Sequence, residues 1–412
     1  MIRGASVASV GQVAPNIKHF HRNHTVRHTF ASNLPRAACA ALFAAFGAPG
    51  ESLAQEPDRA ARLIKELGVI EDTASPRDRK DWRAPKKIVI LASGGSPSAA
   101  EQKALAEAAP TAKLLVVDNV AAMAKAATDA DIVLGLTSYP GICEPEVIDN
   151  ARQLRWILSM SAGVERCIAV DSVHERKLLL TNQRATDAAA ISEHAIALAL
   201  AMGRGLDTFV LNQQQSRWSP GDAGTTQMQT LSGKTMLVVG LGGIGTEVAS
   251  RAHALGMKVI ATRASGRTGP DYVSYVGLPD ELLKLAATAD VIVNSAPLTK
   301  ETTGIFDAKF FATLKPTAYF INVARGGSVV TADLLKALTE KRLAGAGLDV
   351  VDPEPLPADH PLWKAPNVII TPHISTRTDV PRTERWILAT ENLRRYVAGE
   401  KMLSVVNLER EY

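Results

Sequence analysis

From Lys86 onward, short β-branched runs alternate with alanine-rich stretches, and that alternation organises the body of the chain. The segments "KKIVILAS", "KLLVVDN", "ADIVLGL", "LRWILSM" and "KLLLTN" carry consecutive apolar positions, the pattern of strands buried on both faces. Good helix formers fill the intervals, so strand follows helix follows strand, which calls for a parallel sheet. Ala188 to Gly203 contains no proline and reads as one long, largely buried helix, followed by a polar loop, Gln213 to Gln229. A second series then runs through "MLVVG", "MKVIAT", "ADVIVNSAP", "AYFINVARG", "GAGLDVVD" and "NVIITPH". Arg382 to Val397, closed by Gly399, predicts an amphipathic helix that packs on one of the two bodies. The fold class is therefore α/β, with two doubly wound parallel-sheet domains. The bounds expected are 1–54 for an N-terminal extension, 55–209 for a first domain completed by 383–412, and 210–382 for a second.

Composition agrees with two packed cores: 412 residues, 46% hydrophobic, 21% charged and 5% aromatic. The net charge of +4 arises at the N-terminus, where Arg3, Lys18, Arg22, Arg27 and Arg36 face Glu51 alone, and the rest is balanced. A balanced body lacks the clustered cations that nucleic acids require, so no nucleic-acid partner is expected. Cys39, Cys143 and Cys167 are odd in number and widely spaced, which gives no zinc pattern, and they read as reduced structural thiols; no metal is expected.

The apolar run Ala37 to Ala48, behind Arg27 and Arg36 and before Pro49-Gly50 and Ser52-Leu53-Ala54, has the pattern of a secretory leader cleaved after Ala54. It is shorter than the ~17 apolar residues a membrane span needs, so no membrane anchor is expected. A leader counted from Met1 is long, and a start at Val26 would bring it into the usual range of about 15–30 residues. The competing reading is a disordered Ala-rich tail. His19, His21, His24 and His28 are irregularly spaced in this polar stretch and read as solvated.

Gly240-Leu-Gly242-Gly243-Ile244-Gly245 follows the strand Met236 to Val239 directly and opens a helical pattern. In that context the spacing is a dinucleotide fingerprint of a Rossmann domain: a tight turn at the first glycine, close approach of the backbone to a pyrophosphate at Gly242, and helix-on-strand packing at Gly245. The next strand, "MKVIATRAS", ends without the acid that would accept the ribose hydroxyls of NAD. Arg263 stands there, with Ser265 and Arg267 behind it, and no Asp or Glu occurs before Asp271. A guanidinium grips a phosphate bidentately, so NADP is favoured over NAD.

Arg325 ends "INVARGG", Glu354 lies in "GLDVVDPEPLP" and His373 ends "NVIITPHIS", each at or beyond the carboxyl end of a strand, where doubly wound sheets bind ligands. Reducing a keto acid needs a hydride donor, a proton donor that titrates near neutral pH and a cation for the carboxylate. An imidazole, its carboxylate partner and a guanidinium supply the last two.

These motifs, in this order after GLGGIG, resemble the D-isomer-specific 2-hydroxyacid dehydrogenase family over about residues 86 to 408. The resemblance implies a flavodoxin-like substrate domain, a small 2-keto or D-2-hydroxy acid substrate and a homodimer joined through the helix from Ala188 and neighbouring segments of the nucleotide unit. It implies that Arg325 binds the carboxylate and polarises the C2 oxygen, that His373 is the acid/base, and that Glu354 is its ionic partner. It further assigns backbone N–H groups of the Ser161-Ala162-Gly163-Val164 segment to the substrate, Asp349 to the nicotinamide amide and Ala324 to the cofactor site; Ser138 to Gly141 would line the cleft. Glu165 stands where many members have Asp, and Ser375-Thr376 replace small residues, which bears on substrate size. Glu354 argues against the formate-oxidising branch, which has Gln there. No appended regulatory domain is expected past Tyr412. Two other readings share the fold: a dinucleotide-sensing binding protein and a phosphite dehydrogenase. The need for a cytosolic NADPH pool favours the cytoplasm, against export to the periplasm after cleavage near Ala54.

Overall fold

The computed structural model describes residues 57–411 apart from 93–94, 138–139, 185, 225–227 and 379–382. The leader-like segment and Ser138 and Tyr139 lie outside the described residues.

The first sheet comprises β1 (Lys87–Leu91), β2 (Lys113–Val117), β3 (Ile132–Gly135), β4 (Trp156–Ser159) and β5 (Leu179–Thr181). All pairings are parallel, in the order β2-β1-β3-β4-β5. The second comprises β6 (Thr235–Val239), β7 (Lys258–Thr262), β8 (Val273–Gly277), β9 (Val291–Asn294), β10 (Tyr319–Asn322), β11 (Gly345–Leu348) and β12 (Val368–Ile370). Its order, β12-β11-β10-β9-β6-β7-β8, reverses direction between β6 and β9, as the first sheet's does between β1 and β3. Ligands of such sheets bind beyond the carboxyl ends of the strands at these reversal points. Both sheets are covered on both faces: Met236 and Val238 of β6 join one apolar cluster while Leu237 and Val239 join another, and Val89 and Ile90 of β1 divide in the same way.

The helix Thr383–Ala398 returns to the first sheet, where Ala389, Leu393 and Tyr396 pack with Trp156. The Trp156 and Tyr396 rings stack at 5.0 Å, and burial pushes the Tyr396 phenol up to about 12. The helix Ala188–Arg204 belongs elsewhere than its sequence position suggests. Ile191, Ala195, Leu198 and Met202 pack with Met236, Val238 and Ile321, so it covers the second sheet although the expected boundary at 209 put it with the first.

The chain therefore passes between the two sheets twice, after β5 and before Thr383. The passages are bonded to each other: Asp187 pairs with Arg385, their side chains 11% and 8% exposed, and Gln183 donates to the Arg385 carbonyl at 2.8 Å.

A second expectation is overturned. Cys143 and Cys167 are joined as a disulfide, with Cα atoms 4.8 Å apart and both residues buried among Ile142, Val164 and Val170. Folding brings the two thiols within bonding reach across 24 residues, a proximity that spacing alone does not show.

Candidate active site

The nucleotide loop has the geometry its sequence implies. Gly240 turns with φ +93°, and its N–H and that of Leu241 donate to the Thr262 carbonyl at 3.1 Å. A Cβ at Gly245 would overlap the Gly240 carbonyl oxygen, whereas one at Gly242 would meet nothing within 4 Å. The loop is thus closed on its own side and open at Gly242, where the helix Gly243–Ala254 begins. Gly243, Ile244 and Gly245 form the first turn, whose N–H groups have no carbonyl within the helix to bond, and such a terminus accepts an anion. A dinucleotide pyrophosphate fits this cradle.

At the end of β7, Arg263 donates to Ser265 Oγ at 2.7 Å and to the Thr268 carbonyl at 3.1 Å, so the two side chains stand together. Arg267 is drawn into a separate group. It pairs with Glu281 at 2.6 Å and donates to the Tyr275 hydroxyl at 3.1 Å, and the Tyr275 hydroxyl, the Leu278 N–H and Arg267 hold the Glu281 carboxyl down at about 2.

Arg325 is placed by a buried polar relay that the sequence reading missed. β9 and β10 end in Asn294 and Asn322, which are register partners. Asn294 Nδ2 donates to Asn322 Oδ1 at 3.0 Å and to Ser328 Oγ at 2.8 Å; Asn322 Nδ2 and Ser328 Oγ then both donate to the Arg325 carbonyl, at 3.0 and 2.7 Å. The Ala324 N–H donates to Asn322 Oδ1 at 3.1 Å, and the Ala324 carbonyl accepts from Arg325 Nη1 at 2.7 Å. Fully paired networks of this kind fix a turn in one geometry.

The guanidinium so placed lies against the first domain. A Cβ at Gly163 would fall on Arg325 Nη2, so only glycine admits this approach. Asn182 donates to the Ala162 carbonyl at 2.8 Å and Thr137 to the Gly163 carbonyl at 2.7 Å. A trans peptide points its N–H away from its carbonyl, which turns the N–H groups of Gly163 and Val164 away from these anchors. Glu165, the next residue, meets the same guanidinium: Nε to Oε1 is 3.0 Å and Nη2 to Oε2 3.5 Å. The sequence marked Glu165 as a departure but not as the partner of Arg325.

His373 Nδ1 and Glu354 Oε1 are 2.6 Å apart, with side chains 39% and 38% exposed. The pair forms a charge-assisted hydrogen bond when the imidazole is protonated, and it leaves Nε2 on the opposite side of the ring from the carboxylate. His373 holds φ +52°, in the left-handed region. Asp349 keeps it there. Its carbonyl accepts from the His373 N–H at 2.8 Å, and its carboxylate accepts from the N–H groups of Ile374 and Ser375 at 3.0 and 3.1 Å and from the Thr371 hydroxyl at 2.7 Å. Burial works to raise the Asp349 carboxyl, but the bonds from Ser375, Thr371 and Ile374 outweigh it and hold it below the usual range. His194, on the long helix, bonds the Thr371 hydroxyl at 2.8 Å and extends this clamp. Among the described residues no group of three or more His, Cys, Asp or Glu could hold a metal ion.

The model of the NAD-binding domain of D-isomer specific 2-hydroxyacid dehydrogenases matches residues 196–375. A glyoxylate reductase/hydroxypyruvate reductase of Mus musculus is 34% identical over 266 residues, covering 64% of this chain and 81% of that protein. The glyoxylate reductase of Thermofilum pendens is 34% identical over 270 residues, covering 65% and 78%. Among solved structures, a D-isomer specific 2-hydroxyacid dehydrogenase family protein from Aeromonas salmonicida superposes with a TM-score of 0.67 at 31% identity, covering 78% of this chain and 99% of its own. An NADPH-dependent glyoxylate/hydroxypyruvate reductase from Sinorhizobium meliloti, in complex with NADP and sulfate, gives 0.65 at 25% identity, covering 79% and 100%.

Proposed function

The chain belongs to the D-isomer specific 2-hydroxyacid dehydrogenase family and is an NAD(P)-dependent oxidoreductase, and from that premise we propose that it reduces a small 2-keto acid, of the glyoxylate or hydroxypyruvate type, to the D-2-hydroxy acid. The observation that carries this reading is the conjunction of the 2.6 Å His373–Glu354 pair with an Arg325 guanidinium laid on Gly163, in a chain with an open nucleotide cradle at Gly242. When bound, the dinucleotide supplies the hydride that adds to C2. Arg325 binds the substrate carboxylate and draws electron density from the C2 oxygen, and the N–H groups of Gly163 and Val164 take the rest of the carboxylate. His373 Nε2 delivers a proton to the oxygen as C2 is reduced. Glu354 accepts the Nδ1–H, orients the ring and balances the imidazolium charge. The test is a panel of 2-keto acids with NADH and NADPH, plus phosphite with NAD. Oxidation of NADPH dependent on glyoxylate or hydroxypyruvate is expected, and silence across the keto acids with activity on phosphite would overturn the reading.

Glu354→Gln keeps the shape of the pair and removes its charge. We expect kcat to fall about tenfold to a hundredfold, with cofactor affinity unchanged by fluorescence titration. Equal turnover in the variant would remove Glu354 from the mechanism.

NADP is proposed as the preferred cofactor, with Arg263 and Ser265 receiving the 2′-phosphate. A charge-assisted contact contributes about 1.5–3 kcal/mol, so Arg263→Asp should move the NADPH-to-NADH ratio of kcat/KM by at least about tenfold toward NADH. A wild type that uses both cofactors equally would refute this.

A homodimer is proposed as well, although the helix Ala188–Arg204 is mostly buried within the chain. Apolar surface is left open on the next helix, Leu206–Gln214, at Leu206, Val210 and Leu211, and nearby at Trp218, which is 95% exposed. Trp218→Asp with Leu211→Glu should give a monomer by light scattering where the native chain gives a dimer.

The cytoplasm remains the proposed location because reduction draws on NADPH, while the Cys143–Cys167 disulfide argues for an oxidising compartment. A mature chain beginning at Gln55 in a periplasmic fraction would decide for export.

A further inference from the structure

We propose that Glu165 determines which 2-keto acids the site accepts, admitting monocarboxylic substrates, favouring those with a hydroxyl on C3 and turning away those with a second carboxylate there. The proposal rests on the keto-acid reading above.

A guanidinium offers two hydrogen-bonding edges, one formed by Nε and Nη2 and one by Nη1 and Nη2. Glu165 takes the first from Arg325, at 3.0 and 3.5 Å. The substrate carboxylate is left the second edge, where Nη1 already gives one proton to the Ala324 carbonyl at 2.7 Å. Arg325 and Glu165 are 30% and 32% exposed, so the pair faces the cleft and is not sealed in the core. Glu165 is also restrained from below. It opens the helix Glu165–Ile168, which the disulfide at Cys167 ties to the segment bearing Cys143, and the preceding Gly163 carbonyl is bonded by Thr137.

One cation therefore serves two anions once a substrate carboxylate arrives. A third, on C3 of a dicarboxylic keto acid, would enter beside Glu165 and compete with it for the Arg325 guanidinium. Like charges brought together in a partly desolvated cleft discriminate strongly between substrates of equal size. A C3 hydroxyl has the opposite effect, since it can donate a further hydrogen bond to a Glu165 carboxylate oxygen, which a methyl group cannot.

The experiment measures kcat/KM for hydroxypyruvate, pyruvate and freshly dissolved oxaloacetate on the full chain and on Glu165→Gln and Glu165→Asp. In the wild type, hydroxypyruvate should exceed oxaloacetate by a hundredfold or more and pyruvate by about tenfold. Glu165→Gln should raise oxaloacetate at least tenfold relative to hydroxypyruvate, while Glu165→Asp, which keeps the charge, should preserve the rejection. Wild-type reduction of oxaloacetate as efficient as that of hydroxypyruvate would overturn the proposal without need of any variant, and so would an unchanged ratio in Glu165→Gln. Absence of activity on all three substrates would instead overturn the keto-acid reading itself.

Discussion

Replacing His373 by asparagine is expected to slow keto-acid reduction by about 10²- to 10⁴-fold while NADPH binding persists, because the variant loses the proton donor and little else. Asparagine is the informative choice. The residue must hold φ +52°, and asparagine tolerates the left-handed region where alanine would be strained. Its N–H can still reach the Asp349 carbonyl, and its amide can still bond Glu354. A loss of activity therefore reports chemistry and not collapse of the loop. Single-turnover oxidation of bound NADPH by glyoxylate reads the step directly. A variant within a few fold of the wild type would assign the proton to another group and leave the His373–Glu354 pair a structural one.

The second large effect is on stability. Arg385→Met should destabilise the protein by about 3–5 kcal/mol, because it strands the Asp187 carboxylate in a buried position. Removing both charges is a different matter: well-packed apolar replacements of a buried pair are often neutral, so Asp187→Leu with Arg385→Met should recover most of the loss. Urea unfolding of the wild type, the single variant and the double variant gives the comparison. If the single variant costs under about 1 kcal/mol, the carboxylate has found water, and the pair is weaker than its burial implies.

Much of this arrangement was legible beforehand, for identifiable reasons. Strands buried on both faces leave consecutive apolar runs, and eleven of the twelve follow from them; β8, "VSYVG", escaped because its middle residues are exposed and break the run. The glycine fingerprint, and the positions of Arg325, Glu354 and His373 beyond the ends of strands, were legible because each follows an apolar run that marks its strand. What was not legible depends on distant partners. An apolar stripe shows that the helix Ala188–Arg204 is buried but not which sheet buries it. Glu165 meets a residue 160 positions away, and Cys143 finds Cys167 across intervening structure. The Asn294–Asn322 relay did leave a trace: "VIVN" and "YFIN" both end an apolar strand in asparagine, and a polar residue repeated at the same strand position points to a bond between neighbours.

The double passage of the chain between the sheets has a mechanical consequence. Two bodies joined by one tether can swivel in any direction; joined at two points that are themselves bonded, through Asp187 and Arg385, they retain chiefly rotation about the line through those points. Any opening of the cleft would then be confined chiefly to a single arc, along which the contact of Arg325 with Gly163 would be remade in the same register. Loosening the pivot, far from any reacting atom, would blur that register, and it would be felt first as poorer substrate capture by an enzyme whose every active-site side chain is intact.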